Sequence, residues 1–179
     1  MIDDERIHLP TSESNHVAHV MAYMHAIPLV KGRLVVDLCC GTGYGTRLLS
    51  EAAHTVIGYD YSKDAIDYSK KRVLPNTDFI HQDVEKLDEI KADVITCMQG
   101  LEHLDDPKAL IQKNLDKDWI FALPNDQDDT NHYHHHKITP DVIRDWWGDN
   151  VLIKYFNGEG QWVKPDQHYT NYWGYYRGQ

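Results

Sequence analysis

Cysteine is scarce: Cys39, Cys40 and Cys97 are the only three in 179 residues. Two adjacent thiols and one distant one make neither a disulfide framework nor a zinc-ligand spacing, so reduced, intracellular thiols are expected. Long apolar runs are missing as well. No stretch approaches the roughly 20 apolar residues that a bilayer-spanning helix needs, and the start, Met-Ile-Asp-Asp-Glu-Arg, carries neither a basic nor an apolar region. A cytoplasmic protein with no membrane partner is the expectation. Basic side chains are outnumbered, 18 against 28 acidic, for a formal net charge of −10. This counts against a broad nucleic-acid footprint, although a local basic patch is compatible with it. Repeats, low-complexity tracts and linkers are also absent, and the length suits a single domain over residues 1–179.

What the chain does have is a glycine-rich turn after an apolar run. Residues 34–38, Leu-Val-Val-Asp-Leu, are too short and too β-branched for a helix and lack clean alternation, as expected of a strand buried on both faces. Gly41, Gly43 and Gly45 follow with single residues between them, a pattern that folds the backbone tightly and lets it approach a ligand before a helix begins. A second strand over residues 55–59 ends in Asp60, about twenty residues past the turn, where a nucleotide-binding fold places a carboxylate for ribose hydroxyls. A nicotinamide fingerprint wants two residues between its last glycines, so strict alternation argues against it.

The remaining elements alternate. A first helix is expected from near Ser12, with Val17, Val20, Met21 and Met24 as the stripe packed on the body, His16, His19 and Tyr23 flanking it, and Pro28 ending it. As part of a segment covering residues 1–30, it would overlie the pocket. A helix follows the glycine turn to about Ala53. Ser62 caps another, with Ile66, Ser69 and Val73 facing inward. Strands are expected at residues 78–81, 92–98 and 119–123, with helices opening at Asp106-Pro107 and Thr139-Pro140. Residues 126–137 form a loop rich in histidine, and residues 151–156 and 169–176 pair as a terminal antiparallel hairpin. The fold class is α/β, Rossmann-like, with a mainly parallel sheet and helices on both faces.

In this order, the segments Val-Val-Asp-Leu-Cys-Cys-Gly-Thr-Gly-Tyr-Gly, Gly-Tyr-Asp at 58–60, Gln-Asp-Val at 82–84 and Gln-Gly-Leu-Glu-His-Leu at 99–104 resemble the class I S-adenosylmethionine-dependent methyltransferases. The resemblance implies a seven-stranded sheet whose last strand inserts antiparallel, and S-adenosylmethionine as cofactor. It places Asp37 near the methionine amino group, Gly41 and Gly43 under the ligand, and Asp60 at the ribose. It sets Asp83 by the adenine amine, Tyr61 and Val84 beside the ring, and Gln99 near the methionine portion. Cys39 stands where the family commonly has glycine, and the expectation is that its side chain turns into the core.

The methyl donor supplies an electrophile, and the protein must align a nucleophile and exclude water. A hydroxyl nucleophile must also lose a proton, which makes His103 and His134 the candidate bases. No residue is assigned as a metal ligand. Relatives that methylate RNA ends or quinones carry Glu-x-x-Glu-His and a later histidine around a divalent ion; here the first acid is Gln99, leaving Glu102, His103 and His134 to suit a softer ion. The expected acceptor is a small molecule, with O-methylation of a sugar or hydroxylated metabolite first. Alternatives are metal-assisted methylation of an RNA end or quinone, or a binding subunit without turnover. Tyr133, Trp162 and Trp173 offer stacking faces, and the aromatic C-terminus would suit a homodimer contact.

Overall fold

The computed structural model describes residues 14–125 and 133–179, with side chains from residue 17 in the first stretch. The expected start of the first helix near Ser12, the His16 side chain and the first part of the histidine-rich loop lie outside the described residues. The regular elements are α1 (Ser14–Ala26), β1 (Leu34–Leu38), α2 (Tyr44–Leu49), β2 (Thr55–Asp60), α3 (Lys63–Ser69), β3 (Thr77–His81) and β4 (Val94–Met98). They continue with α4 (Pro107–Gln112), β5 (Asp118–Pro124), α5 (Pro140–Trp147), β6 (Leu152–Phe156), β7 (Trp162–Val163) and β8 (Asn171–Tyr176).

One sheet runs in the order β3-β2-β1-β4-β5-β8-β6-β7. Strands β1 to β5 pair in parallel, and β8 inserts antiparallel between β5 and β6. The expected mainly parallel sheet and terminal hairpin are therefore present. An eighth strand adds to the seven expected: β7, two residues long, pairs with the end of β6 after the chain reverses through Gly158 and Gly160.

Alternation along the strands sends side chains to two faces. Val36 and Leu38, Cys97, Trp119 and Phe121 pack with Leu110 and Ile111 of α4 and Ile143, Trp146 and Trp147 of α5. Val35, Val94, Ile120 and Ala122 pack instead with α1 and α2. Burying one side chain of this size contributes roughly 1.5–3 kcal/mol.

Local chemistry fixes the helix ends. Ser62, Asp106 and Thr139 accept hydrogen bonds from the backbone N–H groups of Ala65, Ala109 and Val142, and Gly148, at φ 86°, stops α5. Helix α2 stops at Leu49, short of the expected Ala53, because Asn76 Nδ2 takes the carbonyls of Ser50 and Ala53 and Ser50 Oγ bonds back to Arg47. Helix α3 tightens into a single 3₁₀ turn at Lys70–Arg72, so Ile66 and Ser69 are buried but Val73 is 49% exposed.

The stripe expected on α1 is corrected. Val17 and Met24 are exposed, whereas Ala18, Ala22 and Ala26, with Tyr23, meet the sheet. Small side chains let the helix backbone approach closely enough for Trp173 Nε1 to donate to the Ala22 carbonyl at 3.2 Å. Met21 lies against the Gly160 turn, where a Cβ would sit 2.4 Å from its Cγ. The C-terminal aromatics expected to suit a contact between copies are used within the chain: Tyr172, Trp173 and Tyr176 are all buried.

Candidate active site

The carboxyl ends of β1, β2 and β4 open onto a cavity of about 570 Å³. Such a crevice is where open parallel sheets bind ligands. Asp37 lies beneath it rather than in it. This carboxylate is fully buried and accepts hydrogen bonds from Thr46 Oγ1 (2.7 Å), Thr96 Oγ1 (2.7 Å) and Tyr23 OH (3.3 Å). Burial pushes its pKa up to about 6, the three hydroxyls pull against that rise, and the charge of Asp60 adds to it. Burial and the Asp37 charge push the Tyr23 phenol upward as well, so it stays a donor. Asp37 thus ties α1, α2, β1 and β4 together directly under the glycine turn.

The three glycines serve three different purposes. Gly41, at φ 53°, faces the cavity and has nothing within 4 Å of the position a Cβ would take. Its N–H donates to Asp60 Oδ2 at 2.8 Å. Gly43, at φ 75°, makes room for the Phe79 ring and Ser69 Oγ, which would lie 2.4–2.9 Å from a Cβ there. Gly45 makes room for the Tyr23 ring. The turn can therefore cradle a ligand at Gly41, while Gly43 and Gly45 hold the scaffold behind it.

Asp60 is 5% exposed and pinned by Gly41 N–H and Ser62 N–H, one on each oxygen, which leaves an outward lone pair on each for a diol. Tyr61, 68% exposed, and buried Val84 line the same end of the cavity with Asp83. Asp83 caps a 3₁₀ turn at Val84–Lys86 and pairs with Lys86 at 2.9 Å, and the Lys86 bond holds its carboxyl below the ordinary range.

Among the described residues two non-glycines occupy the left-handed region, Cys39 at φ 55° and Gln99 at φ 56°, at the exits of neighbouring strands. Both line the cavity. Gln99 is fixed by its N–H to the Ala122 carbonyl and by Nε2 to Asn171 Oδ1 at 3.2 Å. Cys39 also packs on the core, as expected of it, so it belongs to both environments.

At the other end, a 3₁₀ turn at Leu101–His103 is sewn to the histidine loop. His103 Nδ1 bonds the Tyr133 carbonyl at 3.0 Å, His135 N–H donates to the Glu102 carbonyl at 2.8 Å, and His136 Nε2 bonds the Leu104 carbonyl at 2.9 Å. A carbonyl only accepts, so Nδ1 of His103 carries a proton, and Nε2 lies 3.9 Å from Oε1 of buried Glu102. His134 packs edge-on against His103, with ring centroids 5.0 Å apart, and His135 lines the cavity beside Tyr133. Glu102, His103 and His134 each offer a ligand atom within 4.8 Å of the others.

The structure thus brings Gly41, Asp60, Tyr61, Asp83, Val84, Gln99 and His103 to one cavity, with Asp37 and Gly43 beneath it and His134 behind His103. Of the expected stacking faces, Tyr133 is at this cavity, Trp173 is core, and Trp162 lies at the far sheet edge between His25 and Lys154. The sequence reading missed that Thr46 and Thr96 hold Asp37, that Asn171 holds Gln99, and that His135 lines the cavity. No described helix is long and apolar enough to cross a membrane.

Residues 35–115 match the methyltransferase domain family. A ubiquinone biosynthesis O-methyltransferase of Coxiella burnetii is 34% identical over 97 residues, covering 51% of this chain and 42% of the relative, so the chain spans about two-fifths of that protein. Among solved structures, a chain of the Haloferax volcanii complex containing the Trm112 methyltransferase activator superposes with a TM-score of 0.70 at 15% identity, covering 92% of this chain and 91% of that one. Magnesium protoporphyrin IX methyltransferase of Synechocystis with bound S-adenosylhomocysteine gives 0.64 at 18%, covering 91% and 83%. At such identities the likeness is one of fold. The expected class and its cofactor, S-adenosylmethionine, agree with these findings: residues 35–115 match a methyltransferase domain, and nearly the whole chain has the fold of solved S-adenosylmethionine-dependent methyltransferases.

Proposed function

We propose that the chain transfers the methyl group of S-adenosylmethionine to a small, uncharged hydroxylated acceptor, a sugar or similar metabolite. The observation that carries this reading is the lining of the cavity, with Gly41, Asp60 and Val84 at one end and His103 at the other. Lysine and arginine are absent from its described lining, while Asp60, Asp83, Glu85 and Asp105 are present. An acceptor bearing phosphate or carboxylate would meet these acids with no permanent cation in the described lining, and Lys86 beside it is already engaged by Asp83.

The cofactor, when bound, supplies a methyl on a sulfonium, and its fit is supported by the open space over Gly41. Asp60 would hold the ribose hydroxyls through its outward lone pairs, and Val84 and Tyr61 would flank the adenine with Asp83 at its amine. Gln99 would meet the methionine portion, while Asp37 positions the turn from below. His103 Nε2 would accept the acceptor's hydroxyl proton, and buried Glu102 would stabilise the resulting imidazolium.

One observation favours a second reading, the convergence of Glu102, His103 and His134. Two imidazoles and a carboxylate fit a borderline divalent ion such as zinc, which would acidify a bound hydroxyl. Metal analysis with and without chelator, followed by activity, decides between them: full activity after metal removal leaves His103 acting as a base alone.

The test is formation of S-adenosylhomocysteine with a panel of neutral, phosphorylated and amine acceptors, alongside calorimetric binding of S-adenosylhomocysteine. Asp60→Ala should weaken that binding on the order of 100-fold, from the loss of charge-assisted bonds to the ribose. His103→Ala should keep binding and lower kcat roughly 10²–10⁴-fold. Cofactor binding without product from any acceptor class would instead identify a non-catalytic subunit.

A further inference from the structure

Cys39 and Cys97 meet over Gly100. The position a Gly100 Cβ would take lies 2.9 Å from Cys97 Sγ and 3.0 Å from Cys39 Sγ, so the missing side chain is what lets the two thiols converge. Their backbones explain the approach: Cys97 is in register with Leu38 across the β1–β4 pair, and Cys39 is the next residue, turned into the left-handed region. Cys39 lines the cavity and is reachable from it, whereas Cys97 is fully buried behind. Cys40, the adjacent thiol, is also buried but points elsewhere, with Sγ 3.8 Å from the Gly41 carbonyl and 2.8 Å from where a Gly58 Cβ would be.

We propose that Cys39 and Cys97 form a peroxide-sensitive dithiol whose oxidation to a disulfide impairs cofactor binding. The thiolate of Cys39 attacks a hydroperoxide entering through the cavity; the O–O bond breaks, leaving a sulfenic acid on Cys39 and releasing hydroxide or an alkoxide. The Cys97 sulfur then attacks the Cys39 sulfur, the S–O bond breaks, and water departs with the second thiol proton. Two electrons pass from the thiols to the peroxide.

An S–S bond of about 2.05 Å draws the sulfurs closer than two unlinked thiols stand. Cys97 is locked in a central strand, so the turn carrying Cys39 must give. Gly41 is two residues further on, and its 2.8 Å bond to Asp60 sets the ribose carboxylate. This consequence rests on the cofactor reading above; the cross-link itself does not.

Protein reduced with phosphine is treated with hydrogen peroxide, digested without reduction and mapped by mass, and S-adenosylhomocysteine binding is measured before, after, and after dithiothreitol. A Cys39–Cys97 peptide pair lacking two hydrogens is expected, with affinity lowered about tenfold or more and restored by dithiothreitol. Cys39→Gly, which suits the left-handed backbone and so should fold, should give no cross-link and peroxide-insensitive binding. Cys97→Ala should leave a Cys39 sulfenic acid that dimedone traps. The proposal is overturned if peroxide consumes Cys39 without linking it to Cys97, if Cys40 appears in the product instead, or if cross-linked protein binds as tightly as reduced protein. Failure of the reduced protein to bind at all would count against the cofactor reading, while the mass map still decides whether the dithiol forms.

Discussion

The two faces of the sheet are packed by opposite means. Against α4 and α5 lie large apolar rings: Trp147 stacks on Phe121 at 4.0 Å and 9° and meets Trp119 edge-on at 5.9 Å. On the other face α1 presents alanines to Ile120, Phe156 and Trp173, and a buried carboxylate held by three hydroxyls sits beside them. The first face derives its stability from area and shape. The second adds a polar network that fixes the glycine turn, which implies that damage to that network is felt as ligand geometry.

The strongest challenge to that contrast is Trp147→Ala, which should cost about 3–5 kcal/mol in denaturant unfolding while leaving S-adenosylhomocysteine affinity unchanged in the protein that remains folded. Trp147→Phe should cost less than about 1.5 kcal/mol, because stacking on Phe121 survives and the Nε1–H has no partner to lose among the described residues.

The polar face should betray itself through pH. Asp37, near 6 when folded against an ordinary value near 4, binds its proton more tightly in the native state than in the unfolded one. Its ionisation therefore lowers stability above pH 6, and that cost is relieved as pH falls through 6 towards 4. Measured by unfolding at pH 7 and pH 4, wild type should gain up to about 3 kcal/mol relative to Asp37→Asn. A difference that moves the other way would mean the three hydroxyls outweigh burial.

Removing a single hydroxyl sharpens the same point. Thr96→Val keeps volume but removes the donor to Asp37 Oδ1, and should cost about 1–3 kcal/mol at pH 7. It should also raise the midpoint of the Asp37 pH dependence, since that hydroxyl helps hold the pKa down.

What could be read from the sequence follows the range of the interactions involved. β1, its glycine turn and the caps at Ser62, Asp106 and Thr139 were legible because each is set by neighbours within a few residues. The packed face of α1 was not, since hydrophobicity pointed to Val17 and Met24 while close approach selected Ala18, Ala22 and Ala26. Asp60 and Gln99 were legible as residues near the glycine turn's cavity, and Asp37 as the acid before the turn. Their partners Tyr23, Thr96 and Asn171 stand 14 to 72 residues away from them and become visible only once strands and helices are assembled. The histidine loop shows the same limit. A motif can mark His134, but whether it or His135 reaches the cavity depends on the backbone bonds that tether residues 133–136 to residues 102–104.

The two-residue β7 has a consequence for the protein's life in a crowded solution. A sheet edge is a template on which another chain can add a strand, and its hazard grows with the length of its unpaired backbone. Here β7, Trp162 and Val163, covers only Tyr155 and Phe156 of β6, leaving Leu152–Lys154 uncovered, with the Lys154 ammonium 4.8 Å from the Trp162 ring and His25 tilted against it. By splitting into two pieces of two and three residues beside a positive charge, the edge presents only a short ladder for an invading strand, a built-in brake on fibre growth from this side.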